Sequence, residues 1–310
     1  MKTSVYRGIV LVASIGLLAG CSQLKNDQPP TAPTLSLHGD GWIDPTSTNF
    51  HGNAIQQLNW NLTTCKSCHG PNYAGGTAQK SCLTCHTQTN GPEACNTCHG
   101  NFNASVSNTV SWAPPRAVSG DTAASSRGVG AHQAHLQATI GRVLKCQECH
   151  TVPSQVYAPG HINSSLPAIV AMNDTLANLV SASGGFAPHP AYSASQLQCS
   201  NTFCHGNWQV LKANAPADRQ YIYTDSMIVG GNYSPKWTGG VNEAACGTCH
   251  GLPPKGHLGY GTNDLPLSSC GSSGCHYGIV DENGKIINPS KHINGKIDES
   301  TDYQMTERKF

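Results

Sequence analysis

Pairs of cysteines followed directly by a histidine recur through this sequence. Five have the form Cys-x-x-Cys-His, and two have the longer form Cys-x4-Cys-His. Two thiols at the shorter spacing can add to the two vinyl groups on one side of a porphyrin, and the next residue then lies under the ring, where its imidazole reaches the iron. The pattern therefore predicts the covalent attachment of seven c-type haems.

The motifs account for fourteen cysteines and seven histidines. The predicted thioether cysteines are Cys65, Cys68, Cys82, Cys85, Cys95, Cys98, Cys146, Cys149, Cys199, Cys204, Cys246, Cys249, Cys270 and Cys275. The predicted proximal iron ligands are His69, His86, His99, His150, His205, His250 and His276. In the two longer motifs the extra residues must bulge out, which Gly271 and Gly274 make easy in the second of them.

Disulfides and zinc sites are the alternative uses of so many cysteines. Every cysteine from residue 65 onward belongs to one of the seven pairs, and a histidine follows each pair. Disulfide pairing gives no reason for that adjacency. Zinc sites use cysteine and histidine at wider spacing, because adjacent side chains rarely both point at one metal. Haem attachment explains the adjacency.

The remaining histidines are candidates for the distal side of each iron. Seven haems with two axial histidines each need seven more, and eight are present: His38, His51, His132, His135, His161, His189, His257 and His292. The sequence does not pair them with individual haems. His132 and His135 are three residues apart, hence on one helical face, and could serve two neighbouring haems. The few methionines exclude general His/Met ligation, and all-histidine ligation predicts low potentials.

The composition predicts a fold that is mostly irregular, with short α-helices and little β-structure, organised around closely packed haems. Leu, Ile, Val and Phe number 55 of 310 residues, too few to offset easily the entropy of ordering the backbone. Haems would therefore replace the missing core. Apolar spacing is compatible with short helices over 131–143 and 168–180, and strands cannot be assigned. With 18 Lys and Arg against 17 Asp and Glu, no nucleic-acid partner is implied.

The first residues have the pattern of an export signal. Lys2 and Arg7 precede an apolar stretch too short to span a bilayer, which ends in Leu-Leu-Ala-Gly-Cys21 and looks like a bacterial lipobox. Cys21 is then the predicted lipidation site, and an ordinary signal peptide with a chance cysteine is the alternative. The predicted segments are a signal peptide (1–20), a flexible tether (21–36), a three-haem part (37–115), a one-haem part (116–165) and a second three-haem part (166–310).

The motifs and their flanks resemble the outer-membrane multihaem cytochromes of metal-reducing bacteria, including the type that combines Cys-x4-Cys-His with Cys-x-x-Cys-His motifs. The matching pieces are His38-x-x-Gly41-Trp42, Phe50-His51-Gly52, Gly130-Ala131-His132-Gln133-Ala134-His135, Gly160-His161-Ile162-Asn163, Cys246-Gly247-Thr248-Cys249-His250-Gly251-Leu252-Pro253-Pro254 and Lys291-His292-Ile293-Asn294-Gly295-Lys296. The resemblance supports the histidines in these pieces as distal ligands. Because His189 has the weakest match, it is the candidate for the spare residue.

The expected function is electron transfer rather than catalysis, and no catalytic residue is predicted. The resemblance implies an exported outer-membrane lipoprotein, facing the periplasm or the cell surface, that passes respiratory electrons to extracellular acceptors such as metal oxides. Its expected partners are other multihaem cytochromes or a porin–cytochrome complex. Two alternatives stay open: a multihaem reductase of a small oxyanion, which needs an open iron position, and a structural subunit of a haem filament or porin–cytochrome complex.

Overall fold

The structure, a computed structural model, describes most of the chain beyond the tether. The described residues are 37–104, 109–137, 139–162, 167–172, 175–181, 185–262, 265–271, 275–301 and 304–309. They form two compact units, the first ending at Leu58 and the second beginning at Asn59. The predicted signal peptide, the tether and Cys21 lie outside the described residues. The predicted haem segments (37–115, 116–165 and 166–310) stay a prediction.

Helices are few and short, and irregular backbone dominates. The α-helices of the described residues are α1 (His51–Gln57), α2 (Lys66–His69), α3 (His132–Leu136) and α4 (Leu267–Gly271). Single 3₁₀ turns span Thr63–Cys65, Gly76–Ala78, Cys82–Thr84, Gly91–Glu93, Cys95–Thr97, Thr109–Trp112, Cys146–Glu148, Leu176–Asn178, Phe203–His205, Lys212–Asn214, Ala217–Ile222, Val241–Ala244 and Pro289–Lys291. Many of these turns lie within or beside the cysteine motifs, so local helical backbone serves mainly to shape the motifs.

Two helix predictions need correction. The predicted helix over 131–143 ends at Leu136, and Gly141 then packs close to Ile293, whose Cβ would lie 3.2 Å from a Cβ at that glycine. The predicted helix over 168–180 is reduced to the 3₁₀ turn Leu176–Asn178 within the described residues. There the backbone bonds to a motif instead, because Ala171 N–H donates to the carbonyl of Cys149 at 2.7 Å.

Within the described ranges, six strands, which sequence reasoning could not assign, form three separate antiparallel pairs. Strands β1 (Ala191–Ser193) and β2 (Gln198–Ser200) pair with Tyr192 opposite Cys199. Strands β3 (Gln209–Leu211) and β4 (Met227–Val229) pair with Val210 opposite Ile228. The chain ends in β5 (Lys296–Thr301) and β6 (Gln304–Lys309), which pair with Ile297 opposite Arg308.

The apolar core is small. In the described part of the chain, a cluster of buried residues joins Ala215, Ile222, Tyr223 and Ile228, with Trp208 and Val210 packed against it. Among the described residues no large side chain is buried beyond 98 %. Large apolar residues are exposed at many of the described positions, Val241 to 90 %. A core of this size contributes little of the apolar burial that normally stabilises a chain of this length.

Candidate haem sites

We number the candidate sites 1 to 7 in the chain order of their motifs. In sites 2 and 4 a single tight turn brings the histidine back over the first cysteine, since His86 N–H donates to the carbonyl of Cys82 and His150 N–H to that of Cys146, each at 2.9 Å. In site 5 the extra residues form the predicted bulge, where Asn201 takes a φ of +53°. None of the fourteen motif cysteines forms a disulfide with another cysteine of the described residues.

The side-chain Nδ1 atoms of the histidines share one kind of partner. Eleven of the described histidines place Nδ1 between 2.5 and 3.3 Å from a backbone carbonyl. They are His51, His69, His99, His132, His135, His150, His161, His250, His257, His276 and His292. A carbonyl only accepts, so Nδ1 carries the proton and the lone pair lies on Nε2. This outer contact is the one that metal-binding histidines usually make.

Three proximal histidines each face a distal candidate across a fixed gap. Ring centres lie 6.2 Å apart for His150 and His132 at site 4, and 6.2 Å apart for His205 and His135 at site 5. They lie 6.3 Å apart for His250 and His292 at site 6. A metal–imidazole bond of about 2 Å, plus about 1.1 Å from nitrogen to ring centre, sets two imidazoles on opposite sides of one metal about 6.3 Å apart. The three pairs have the spacing that one iron requires.

Two more motif histidines have a distal candidate as an electrostatic neighbour. Burial lowers the pKa of His99 at site 3, and the neighbouring imidazole of His161 lowers it further. Burial likewise lowers the pKa of His276 at site 7, with His257 as a neighbour. The lowered pKa favours the neutral form of His99 and of His276, and a neutral imidazole is the form that binds a metal.

Burial also sets the protonation state at sites 4 and 5. It lowers the pKa of His132 and that of His205 to about 4, so both are neutral at pH 7. Burial raises the pKa of the Cys149 thiol to about 11 and that of Cys204 to about 12. These thiols are therefore neutral at pH 7.

The remaining distal candidates are His38, His51 and His189. His38 and His51 belong to the first unit, where His38 stacks on Trp42 with ring centres 4.2 Å apart. His51 begins helix α1, and its Nδ1 lies 2.8 Å from the Trp42 carbonyl. His189 is exposed and has a φ of +56°. At site 2 the ring of His86 meets Phe102 edge-on at 5.2 Å.

Exposed apolar side chains flank the paired histidines. Ile169, whose carbonyl accepts from His150, is 66 % exposed, and Leu258, whose carbonyl accepts from His257, is 42 % exposed. Leu252 follows the site 6 histidine by two residues and is 47 % exposed. Imidazole pairs at the spacing of one metal and adjacent exposed apolar side chains together fit a planar, largely apolar macrocycle with a central iron.

Sites 5 and 6 are packed together through backbone. Gly206 directly follows the site 5 histidine with a φ of +93°, and a Cβ there would lie 1.8 Å from the carbonyl oxygen of Cys249. The same carbonyl accepts from Gly231 N–H at 2.8 Å, and Cys249 Sγ lies 3.8 Å from His205 Nδ1. Only glycine allows this approach, which fixes the two motifs against each other.

Two acidic residues inside or beside motifs hold the sites in place, and sequence reasoning missed both. Glu148 of site 4 pairs with Arg142 at 2.6 Å and accepts from Leu176 N–H at 2.8 Å. Glu93, just before site 3, pairs at 2.9 Å with Lys66 of site 1 and accepts from the hydroxyl of Tyr73. The sequence signal for these two residues was their position in or next to a motif. Their hydrogen-bond and ion-pair partners could not be predicted, because those partners depend on the fold.

No protein-family model, curated protein or solved structure matches the chain. Within the described residues, no group of three or more His, Cys, Asp or Glu side chains is arranged to hold a metal ion by itself. Nor does the described part of the chain contain a helix with the length and hydropathy needed to cross a membrane.

Proposed function

We propose that this chain is a seven-haem c-type cytochrome that carries electrons through iron centres held by two histidines each. The observation that supports it most is the spacing at sites 4, 5 and 6, where a motif histidine faces a second imidazole at 6.2 to 6.3 Å. At these three sites the facing imidazole does not belong to the neighbouring histidine in sequence; at site 6, for example, it belongs to His292, far along the chain from His250.

The protein's own residues would do three things. The cysteines would hold the macrocycle by two thioether links, imidazoles would bind its iron, and the carbonyls that contact Nδ1 of eleven described histidines would fix those ring planes. When bound, each haem would supply an iron that accepts and returns one electron, at low potential because both ligands are nitrogen. Closed axial positions favour an electron carrier over a reductase, which must bind its substrate at iron.

The spin state of the purified holoprotein and its electron uptake test this function. We expect low-spin ferric spectra for all seven haems and the reversible uptake of seven electrons per chain in a reductive titration. A substantial high-spin fraction together with turnover of nitrite or a sulfur oxyanion would overturn the carrier proposal in favour of the reductase.

We further propose that the protein is exported and anchored by lipid at Cys21 to the outer membrane. There it would exchange electrons with other multihaem cytochromes or a porin–cytochrome complex, and with extracellular acceptors such as metal oxides. The lipobox-like sequence and the flanking motifs support this. A deletion strain that reduces metal oxides as fast as its parent would contradict the acceptor role.

A further inference from the structure

One indole contacts both distal candidates of helix α3. The ring of Trp237 meets that of His132 edge-on, with centres 4.8 Å apart and planes at 87°. It lies nearly parallel to the ring of His135, with centres 5.9 Å apart and planes at 22°. Edge-on and offset-parallel arrangements at about 4.5–7 Å are those that aromatic pairs favour. Rotation of either imidazole would therefore break a contact with Trp237.

Trp237 is itself held at several points. Its indole N–H donates to the carbonyl of Arg127 at 2.9 Å, and its backbone N–H donates to the carbonyl of Leu197 at 2.7 Å. Gly130 has a φ of +45°, and a Cβ on it would lie only 1.9 Å from the indole nitrogen. These contacts tie Trp237 to the segment leading into α3 and to Leu197, the residue just before strand β2. Strand β2 carries the first cysteine of site 5.

We propose that Trp237 is a positioning residue shared by sites 4 and 5, and that it sets the ring planes of both distal imidazoles. This inference rests on the proposed function, since it requires His132 and His135 to bind iron. His132 faces the site 4 histidine and His135 faces the site 5 histidine, so one side chain acts on two haems. Contacts outside the ligand shell orient the ligands and tune the metal.

The same arrangement places sites 4 and 5 next to each other on the electron path. Their distal imidazoles lie on successive turns of α3, about 5–6 Å apart at Cβ as for any i, i+3 pair. The indole is in contact with both rings, so no gap separates the two ligands. Electrons passing between these haems would cross the region that Trp237 fills.

The test replaces Trp237 with leucine in the holoprotein and compares it with Trp60→Leu, a tryptophan for which the described residues show no ring contact with a histidine. Intact mass first counts the haems. Electron paramagnetic resonance then reads the ferric low-spin signals, whose g values depend on the imidazole planes, and a spectroelectrochemical titration reads the potentials. We expect Trp237→Leu to shift the g values and potentials of two of the seven haems, and Trp60→Leu to shift none.

Seven attached haems with all signals unchanged in Trp237→Leu would overturn the positioning role while leaving the proposed function intact. A change in one haem alone, or in more than two, would also overturn it. Should Trp237→Leu not mature, Trp237→Phe carries the test, since it keeps a ring but loses the bond to Arg127; the expected result is a smaller shift in the same two signals. A parent protein without haem would instead refute the proposed function.

Discussion

Replacing His292 with alanine should open one axial position and no other. Its ring centre lies 6.3 Å from that of His250, a spacing that fits one shared iron. Its Nδ1–H donates to the carbonyl of Ile140, which is a backbone atom and not another candidate ligand. One of seven irons loses its sixth ligand, and the expected high-spin fraction is about one-seventh of the ferric signal.

The assay is the ferric optical and paramagnetic resonance spectrum of purified His292→Ala, with added imidazole as a rescue that should restore the low-spin state. His189→Ala is the matched control, because that histidine is exposed and belongs to none of the three ring pairs at 6.2 to 6.3 Å. It should leave all seven signals low-spin. Fully low-spin His292→Ala, or the same one-seventh loss in His189→Ala, would refute the pairing.

Other changes separate packing from ligation. Gly206→Ala should lower the free energy of unfolding by well over the about 1–2 kcal/mol that a left-handed φ costs, because its Cβ would meet the Cys249 carbonyl at 1.8 Å. Gly120→Ala, with a φ of +92° and open space, should show the backbone cost alone in denaturant titrations, and equal losses would contradict the close approach. Glu93→Ala should lower the free energy of unfolding by about 1–3 kcal/mol, because it removes the ion pair with Lys66 and the hydrogen bond from Tyr73. Glu282→Ala, at an exposed position, should leave the melting temperature unchanged in the same thermal melts. Equal melting temperatures for the two variants would argue against the network. Cys21→Ala should move the protein from the membrane to the soluble fraction of an export-competent host, and membrane retention would contradict lipid anchoring.

The motifs were visible in the sequence because their chemistry depends on local spacing, and short turns at Cys82 and Cys146 need nothing beyond neighbouring residues. The pairing of motif histidines with distal histidines was not visible in the sequence. His292 lies near His250 in the fold, and it is held there by backbone contacts with the 140–142 segment, far away along the chain. The helix expected over 168–180 was wrong for a related reason, since its backbone bonds to Cys149 and supports His150. Trp237 carried no signal at all, as its contacts with α3 join segments more than a hundred residues apart.

The intact mass of the mature protein, made in a host that attaches haem, tests the central claim most directly. The account predicts a chain heavier by seven haems, with all fourteen motif thiols consumed. A colourless chain whose mass shows those thiols free, or joined to one another as disulfides, would contradict it.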